Sequence, residues 1–96
     1  MEIKIFDYTK EFAENKNKAR EIRIKKIINQ LNNHNKVILN FDKINLTTQS
    51  FIHALISDLI RKYGTIVLEK IEFKKCNKQV KEVIKTVCEY MQESIS

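Results

Sequence analysis

Thr47, Thr48 and Ser50 place three hydroxyls just ahead of a helix-patterned stretch. A helix start presents free backbone N–H groups and the positive end of the macrodipole, so this spot can hold an anion or a phosphate. The plainer reading of the same residues is an N-cap at Thr48. Arg20 stands one turn before Ile24 on an apolar stripe, which predicts a side chain reaching over the sheet edge. It would either contact an anion or lay its stem along the core. His34 belongs to a polar turn, and His53 starts a helix with no second His, Cys or paired carboxylate at ligand spacing, so neither is expected to bind metal or catalyse. Cys76 and Cys88 lie apart with no Cys-x-x-Cys pair, and Cys88 fits the core as a small apolar residue. A Gly-x-Ser-x-Gly elbow is absent, and one glycine cannot build a phosphate loop. The chemistry-bearing residues therefore predict no catalytic residue, no cofactor and no enzyme.

Basic side chains offer a second chemistry. Lys16, Lys18, Arg20, Arg23, Lys25 and Lys26 crowd the first long helix, and Lys74 to Lys85 form a second basic run, which is the charge a nucleic-acid phosphate backbone attracts. At about 100° per residue, Lys18 and Lys25 point away from Lys16, Arg20 and Arg23. The charges thus surround the helix, and a solvated face accounts for them too. Phosphate binding through Lys16–Lys26 and Lys74–Lys85 is the alternative function.

These side chains need elements to hold them. Ile3, Ile5 and Phe6 predict a short strand closed by Asp7-Tyr8-Thr9. Residues Asn17 to about Asn33 predict a helix whose apolar stripe is Ile24, Ile27, Ile28 and Leu31. Val37 to Phe41, nearly continuous in apolar character, predicts a central strand covered on both faces. After a loop from Asp42 to Thr48, the face Ile52, Leu55, Ile56, Leu59, Ile60 and Tyr63 predicts a second helix, stopped by Gly64. Ile71-Glu72-Phe73 predicts a third strand, with Ile66-Val67-Leu68 as a further extended piece. Asn77 should cap a last helix with the stripe Val80, Val83, Ile84, Val87, Cys88 and Met91. The order β-α-β-α-β-α implies parallel pairing and a binding edge beyond the carboxyl ends of the strands, at Asp7 to Arg20 and Asp42 to Ser50.

Composition narrows the class. With 96 residues, one glycine, no proline and two cysteines, the chain suits a single domain and excludes collagen, disulfide scaffolds and low-complexity tails. No apolar run reaches the roughly 18 residues of a membrane span, and the opening Met1-Glu2-Ile3-Lys4 is no signal peptide, so the expectation is a cytoplasmic protein without a membrane partner. An excess of 18 Lys and Arg over 12 Asp and Glu, net +6, invites the nucleic-acid reading given above. Oligomeric state stays open, since a bare face of a small sheet could also be covered in a dimer.

The stretch Val37-Ile-Leu-Asn-Phe-Asp-Lys-Ile-Asn-Leu-Thr-Thr-Gln-Ser-Phe51 resembles the STAS-like domain family, small bacterial modules similar to the STAS domains of anti-sigma factor antagonists. Lys18-Ala19-Arg20 resembles the start of the family's first long helix, and Cys76-Asn77-Lys78-Gln79-Val80 through Ile84 its Asn-capped last helix, so the likeness runs from about Asn17 to Val87. The resemblance implies one domain over residues 1–96: a small STAS-like α/β open sheet of about three to four mainly parallel strands with helices packed on it. It also implies protein recognition in signalling, with a switch-type ATPase or kinase as partner. In the antagonists, the strand-to-helix loop carries a phosphorylated serine after an aspartate. Here that acceptor position is Gln49, preceded by Thr48, so phosphorylation carried over falls to Ser50 or Thr48. Asn40 stands where the family's strand often ends in Leu-Asp-Phe, and His53-Ala54 where an acidic pair is common, which removes negative charge and suits a more acidic partner. The expected partner-binding edge is Asp42, Thr47, Thr48, Gln49, Ser50 and His53, with Arg20 beside it.

Overall fold

The computed structural model describes residues 2–95, with side chains through residue 93. Three short strands, β1 (Glu2–Lys4), β3 (Val37–Asn40) and β5 (Ile71–Lys74), form a parallel sheet in the order β1-β3-β5. Val37–Asn40 is the central strand, as its apolar run predicts. Cross-strand rows follow the register: Glu2, Ile38 and Glu72 align, then Ile3, Leu39 and Phe73, then Lys4, Asn40 and Lys74.

Alternation decides which face is covered. Ile3, Val37, Leu39 and Ile71 are buried beneath the helices, whereas Glu2, Lys4, Glu72 and Lys74 are exposed on the other face. The expectation of a central strand covered on both faces is therefore corrected. Ile38 is half-buried because charged neighbours flank it, and Asn40 closes the row as a buried polar residue. Its amide nitrogen donates to a Glu2 carboxylate oxygen, while its amide oxygen accepts the Asp42 N–H at 2.8 Å. The Asn40 hydrogen bond holds the Glu2 carboxyl below the usual carboxylate range, against slight desolvation and with help from Lys74. A lowered folded-state pKa contributes stability above the unfolded value, lost as pH falls through the folded one. Asn40→Asp would instead set two carboxylates together. Over about pH 3 to 5 the parent should gain melting temperature with rising pH while the variant gains less or loses, read by thermal unfolding at several pH values. Parallel pH curves would refute the pairing.

Five α-helices occur among the described residues. α1 (Phe6–Thr9) is a single turn where the sequence predicts strand end and turn, because Tyr8 and Thr9 both donate their N–H to Ile5 O. α2 (Lys16–Ile22), a π-helical stretch (Arg23–Ile27) and α3 (Ile28–Asn32) run on as one rod. α4 spans Gln49–Tyr63 and α5 spans Lys78–Ile95. No helix of the described residues is long and apolar enough to cross a membrane.

The π stretch changes the buried face. Ile28 N–H bonds to Arg23 O, five residues back, so one extra residue is inserted into the rod. Ala19, Ile22, Ile27 and Leu31 are buried, and Ile24 is 59% exposed. The predicted stripe through Ile24 is corrected accordingly, and Arg20, which was placed on it, is exposed. Ile27, Ile28 and Leu31 keep their inward positions.

Local signals elsewhere hold. Thr48 Oγ1 accepts the Phe51 N–H at 3.1 Å, and α4 buries Ile52, Leu55, Ile56, Leu59 and Ile60 as its spacing predicts. Gly64 ends it at φ 83°, a backbone region that side chains with a Cβ rarely adopt. Asn77 Oδ1 accepts the Val80 N–H at 2.8 Å and starts α5, which buries Val80, Ile84, Val87 and Met91. Ile66-Val67-Leu68 is not extended: it lies within a 3₁₀ helix, Thr65–Lys70, that buries Val67 and leaves Ile66 exposed.

A second, two-stranded parallel pair, β2 (Phe12–Ala13) with β4 (Leu46–Thr47), was not anticipated and lies inside the expected loops. Ala13 and Thr47 face inward, Phe12 and Leu46 outward. The Gln79 side chain of α5 finishes this pair. Its amide oxygen accepts the Thr47 N–H at 3.0 Å and its amide nitrogen donates to Thr47 O at 2.9 Å, in the way a third strand would.

Candidate functional site

Along the outer surface of α4, its exposed strip forms the floor of a groove walled by α2 on one side and α5 on the other. The cavity measures about 570 Å³. From the N-terminal end it takes Gln49 and Ser50, then His53 and Ala54, then Ser57 and Asp58, and finally Arg61. Helical periodicity makes this one face, because these positions recur every three or four residues opposite the buried stripe. α2 contributes Lys16 and Arg20, the π stretch that continues it contributes Arg23, and α5 contributes Thr86, Val87 and Tyr90.

The site is basic. Lys16, Arg20, Arg23 and Arg61 stand against one carboxylate, Asp58. Arg23 Nη1 donates to Ala54 O at 2.6 Å and lies 3.2 Å from Asp58, which pins α2 to α4. The guanidinium therefore spans the seam between helices, and its side chain is only 11% exposed. Arg61 meets the other Asp58 oxygen at 3.0 Å. Asp58 is thus shared by two arginines, and Lys16 and Arg20 remain as cations at the mouth. Among the described residues Arg20 makes a single 3.3 Å bond, to Asn17 Oδ1 within its own helix. Ser57 is 3% exposed on the floor, and its hydroxyl makes no hydrogen bond to protein among the described residues.

Of the residues expected at a partner-binding edge, Arg20, Gln49, Ser50 and His53 come together in this groove. Asp42, Thr47 and Thr48 do not. Asp42 is exposed at the turn after β3, where its backbone N–H is held by Asn40. Thr47 is buried, and its hydroxyl donates to Ala13 O at 2.8 Å, because the side chain lies on the inward face of the β2–β4 pair. It holds the two strands together. Thr48 is half-buried and its oxygen is occupied as the α4 cap. Ser50 is the exposed hydroxyl of the original trio.

Sequence reasoning missed Arg23, Ser57, Asp58, Arg61 and Tyr90. Arg23 could have been found once Ile22 rather than Ile24 was placed on the buried face. The others come from separate segments that only packing brings together. Of the two basic runs, the first contributes Lys16, Arg20 and Arg23 to the groove, while Lys18 and Lys25 pair with Glu21 at 3.6 and 3.3 Å on another face. Those lysines hold the Glu21 carboxyl below its ordinary value, Lys25 foremost.

The thiols of Cys76 and Cys88 lie outside the groove. Burial pushes both thiols upward, away from the reactive thiolate. Among the described residues no group of three or more His, Cys, Asp or Glu could hold a metal ion. What the groove can do chemically is attract anions along its rim and accept a polar contact at Ser57.

No curated protein and no solved structure matches the chain significantly. The model of one family, described as STAS-like domain of unknown function (DUF4325), matches residues 18–81, from the first turn of α2 into the first turn of α5. That span holds the central strand, α4 and both caps, and with about two thirds of its length inside the match, the chain belongs to this STAS-like domain family.

Proposed function

We propose that this domain is a non-catalytic protein-interaction module that regulates a partner, an ATPase- or kinase-type regulator or a signalling or defence assembly. Docking takes place along the N-terminal half of α4. The observation that carries this reading is the meeting of Arg20, Gln49, Ser50 and His53 in one basic groove, on a family scaffold similar to anti-sigma factor antagonists. Shape and charge complementarity at such a concave surface select a partner, and charge change there switches it.

Ser50 is the position for that switch. It is exposed in the first turn of α4, and a phosphate there would sit by the helix N-terminus and beside the groove's cations. The helix tolerates the charge, while the groove loses its positive surplus. Ser50→Glu tests this without disturbing the fold, because an acidic residue in a first turn is favourable. Nuclease-treated lysate at moderate salt should yield a discrete protein on the parent domain and not on Ser50→Glu, with both melting within about 2 °C of each other. Recovery of nucleic acid alone from a parallel lysate without nuclease, unchanged by the substitution, with no protein from the treated one, would replace this reading with phosphate binding through Lys16–Lys26 and Lys74–Lys85.

A further inference from the structure

We infer that the groove receives an acidic, amphipathic helix of the partner protein. The inference rests on the protein-interaction reading above and specifies the chemistry of what docks.

Length is the first argument. The floor runs from Gln49 to Arg61, which at 1.5 Å per residue is about 18 Å, or some three turns of a helix lying alongside α4. A single phosphate or a compact metabolite would leave most of it empty. The floor is also low. Ser50, Ala54 and Ser57 recur at i, i+4 and i+7 on the outward face of α4, and small residues at a helix contact allow the axes to approach at the short end of about 8–10 Å. An incoming helix would fit between α2 and α5 with its apolar side on Ala54 and Val87.

Charge is the second argument. Arg23 and Arg61 share Asp58, which leaves Lys16 and Arg20 as the surplus on the α2 rim. Carboxylates spaced one turn apart on the occupant would meet that rim, and a basic helix would be repelled by it. The Ser57 hydroxyl adds a recessed donor that a side chain on the occupant can reach. A nucleic-acid duplex can place phosphates on the rim, but its width keeps it from a floor walled by two helices.

The test is a display selection of helical 16-residue peptides on the immobilised full-length chain, with acidic and basic residues randomised on one face. Enriched peptides should carry net negative charge. Their affinity should fall about tenfold or more on Arg20→Glu and on Ser57→Leu, which fills the floor, and stay within about twofold on Lys75→Glu, at an exposed position just after β5 and outside the groove. Enrichment of neutral or basic peptides that still lose affinity on Ser57→Leu would overturn the acidic specification while the protein-docking groove stands. Absence of any peptide sensitive to Ser57→Leu, with a DNA or RNA duplex binding the domain instead, would overturn both. Thermal unfolding of each variant identifies any that fails to fold, and Ser57→Ala then replaces Ser57→Leu, with an expected loss of about threefold.

Discussion

Deletion of Lys25 is expected to leave the domain folded, with its melting temperature lowered by only a few degrees. Removing one residue from a helix ordinarily rotates everything beyond it by about 100° and turns the buried face outward. Here the helix already contains one residue too many. The buried residues Ala19, Ile22, Ile27 and Leu31 are separated by three, five and four positions, and the five-residue step coincides with the π stretch Arg23–Ile27. Deletion converts those steps to three, four and four, which is an unbroken α-helical stripe. The loss is confined to the exposed Lys25 and its 3.3 Å pairing with Glu21, a solvent-screened surface pair that contributes little. Deleting Asp58 from α4 is the contrasting case, since it would move Leu59 to an exposed position, at about 2–5 kcal/mol, and drive Arg61 into the buried position of Ile60. Thermal unfolding by circular dichroism should show a cooperative transition for the first deletion and none for the second. Equal loss of structure in both would show that the π stretch is not a simple insertion.

The second large effect is at Asn77. Its side chain caps α5 through the Val80 N–H at 2.8 Å, and its amide nitrogen donates to both Ile44 O and Asn45 O at 3.1 Å. One residue thus ties the loop after β3 to the last helix. Loss of a cap costs about 1 kcal/mol, and carbonyls stripped of a donor add about 1–2 kcal/mol, since Ile44 is buried and Asn45 can turn to water. Asn77→Ala should therefore lower the melting temperature by roughly 10–20 °C for a domain of this size. Asn77→Asp separates the two contributions. It keeps the capping oxygen and loses the donor, so it should recover about the cap's share. An Asp variant as stable as the parent would show that the bonds to the loop contribute nothing.

Both caps were legible in the sequence, and the deletion site was not. Thr48, Gly64 and Asn77 act on their own neighbouring backbone, so residue type and position suffice to identify them. The stripe on the first rod was different. Ile24, Ile27, Ile28 and Leu31 make a complete helical face in sequence, and only contact with α4 decides that Ala19 and Ile22 go inward and Ile24 goes out. Arg23 follows from the same choice, which is why the residue that pins α2 to α4 was passed over in favour of Arg20. β2 and β4 are two residues each, too short to carry a period, and their partners lie 34 positions away in the chain. The groove was half legible for a related reason. Gln49, Ser50 and His53 stand beside a recognisable helix start, whereas Asp58, Arg61 and Tyr90 join them only when α4 and α5 pack.

The bare face of the sheet bears on how copies of this chain behave when crowded. Both outer strands read Glu-x-Lys, as Glu2-Ile3-Lys4 and Glu72-Phe73-Lys74, and in register each row across the sheet carries one sign at its two ends. A filament would grow by adding β1 of one copy to the free edge of β5 of the next, continuing the same parallel register. That addition would set Glu2 beside Glu72 and Lys4 beside Lys74, like against like at every joint. Strands of three and four residues offer few hydrogen bonds to offset the repulsion. Charge on the two outer strands of the β1-β3-β5 sheet therefore opposes growth by edge-to-edge addition.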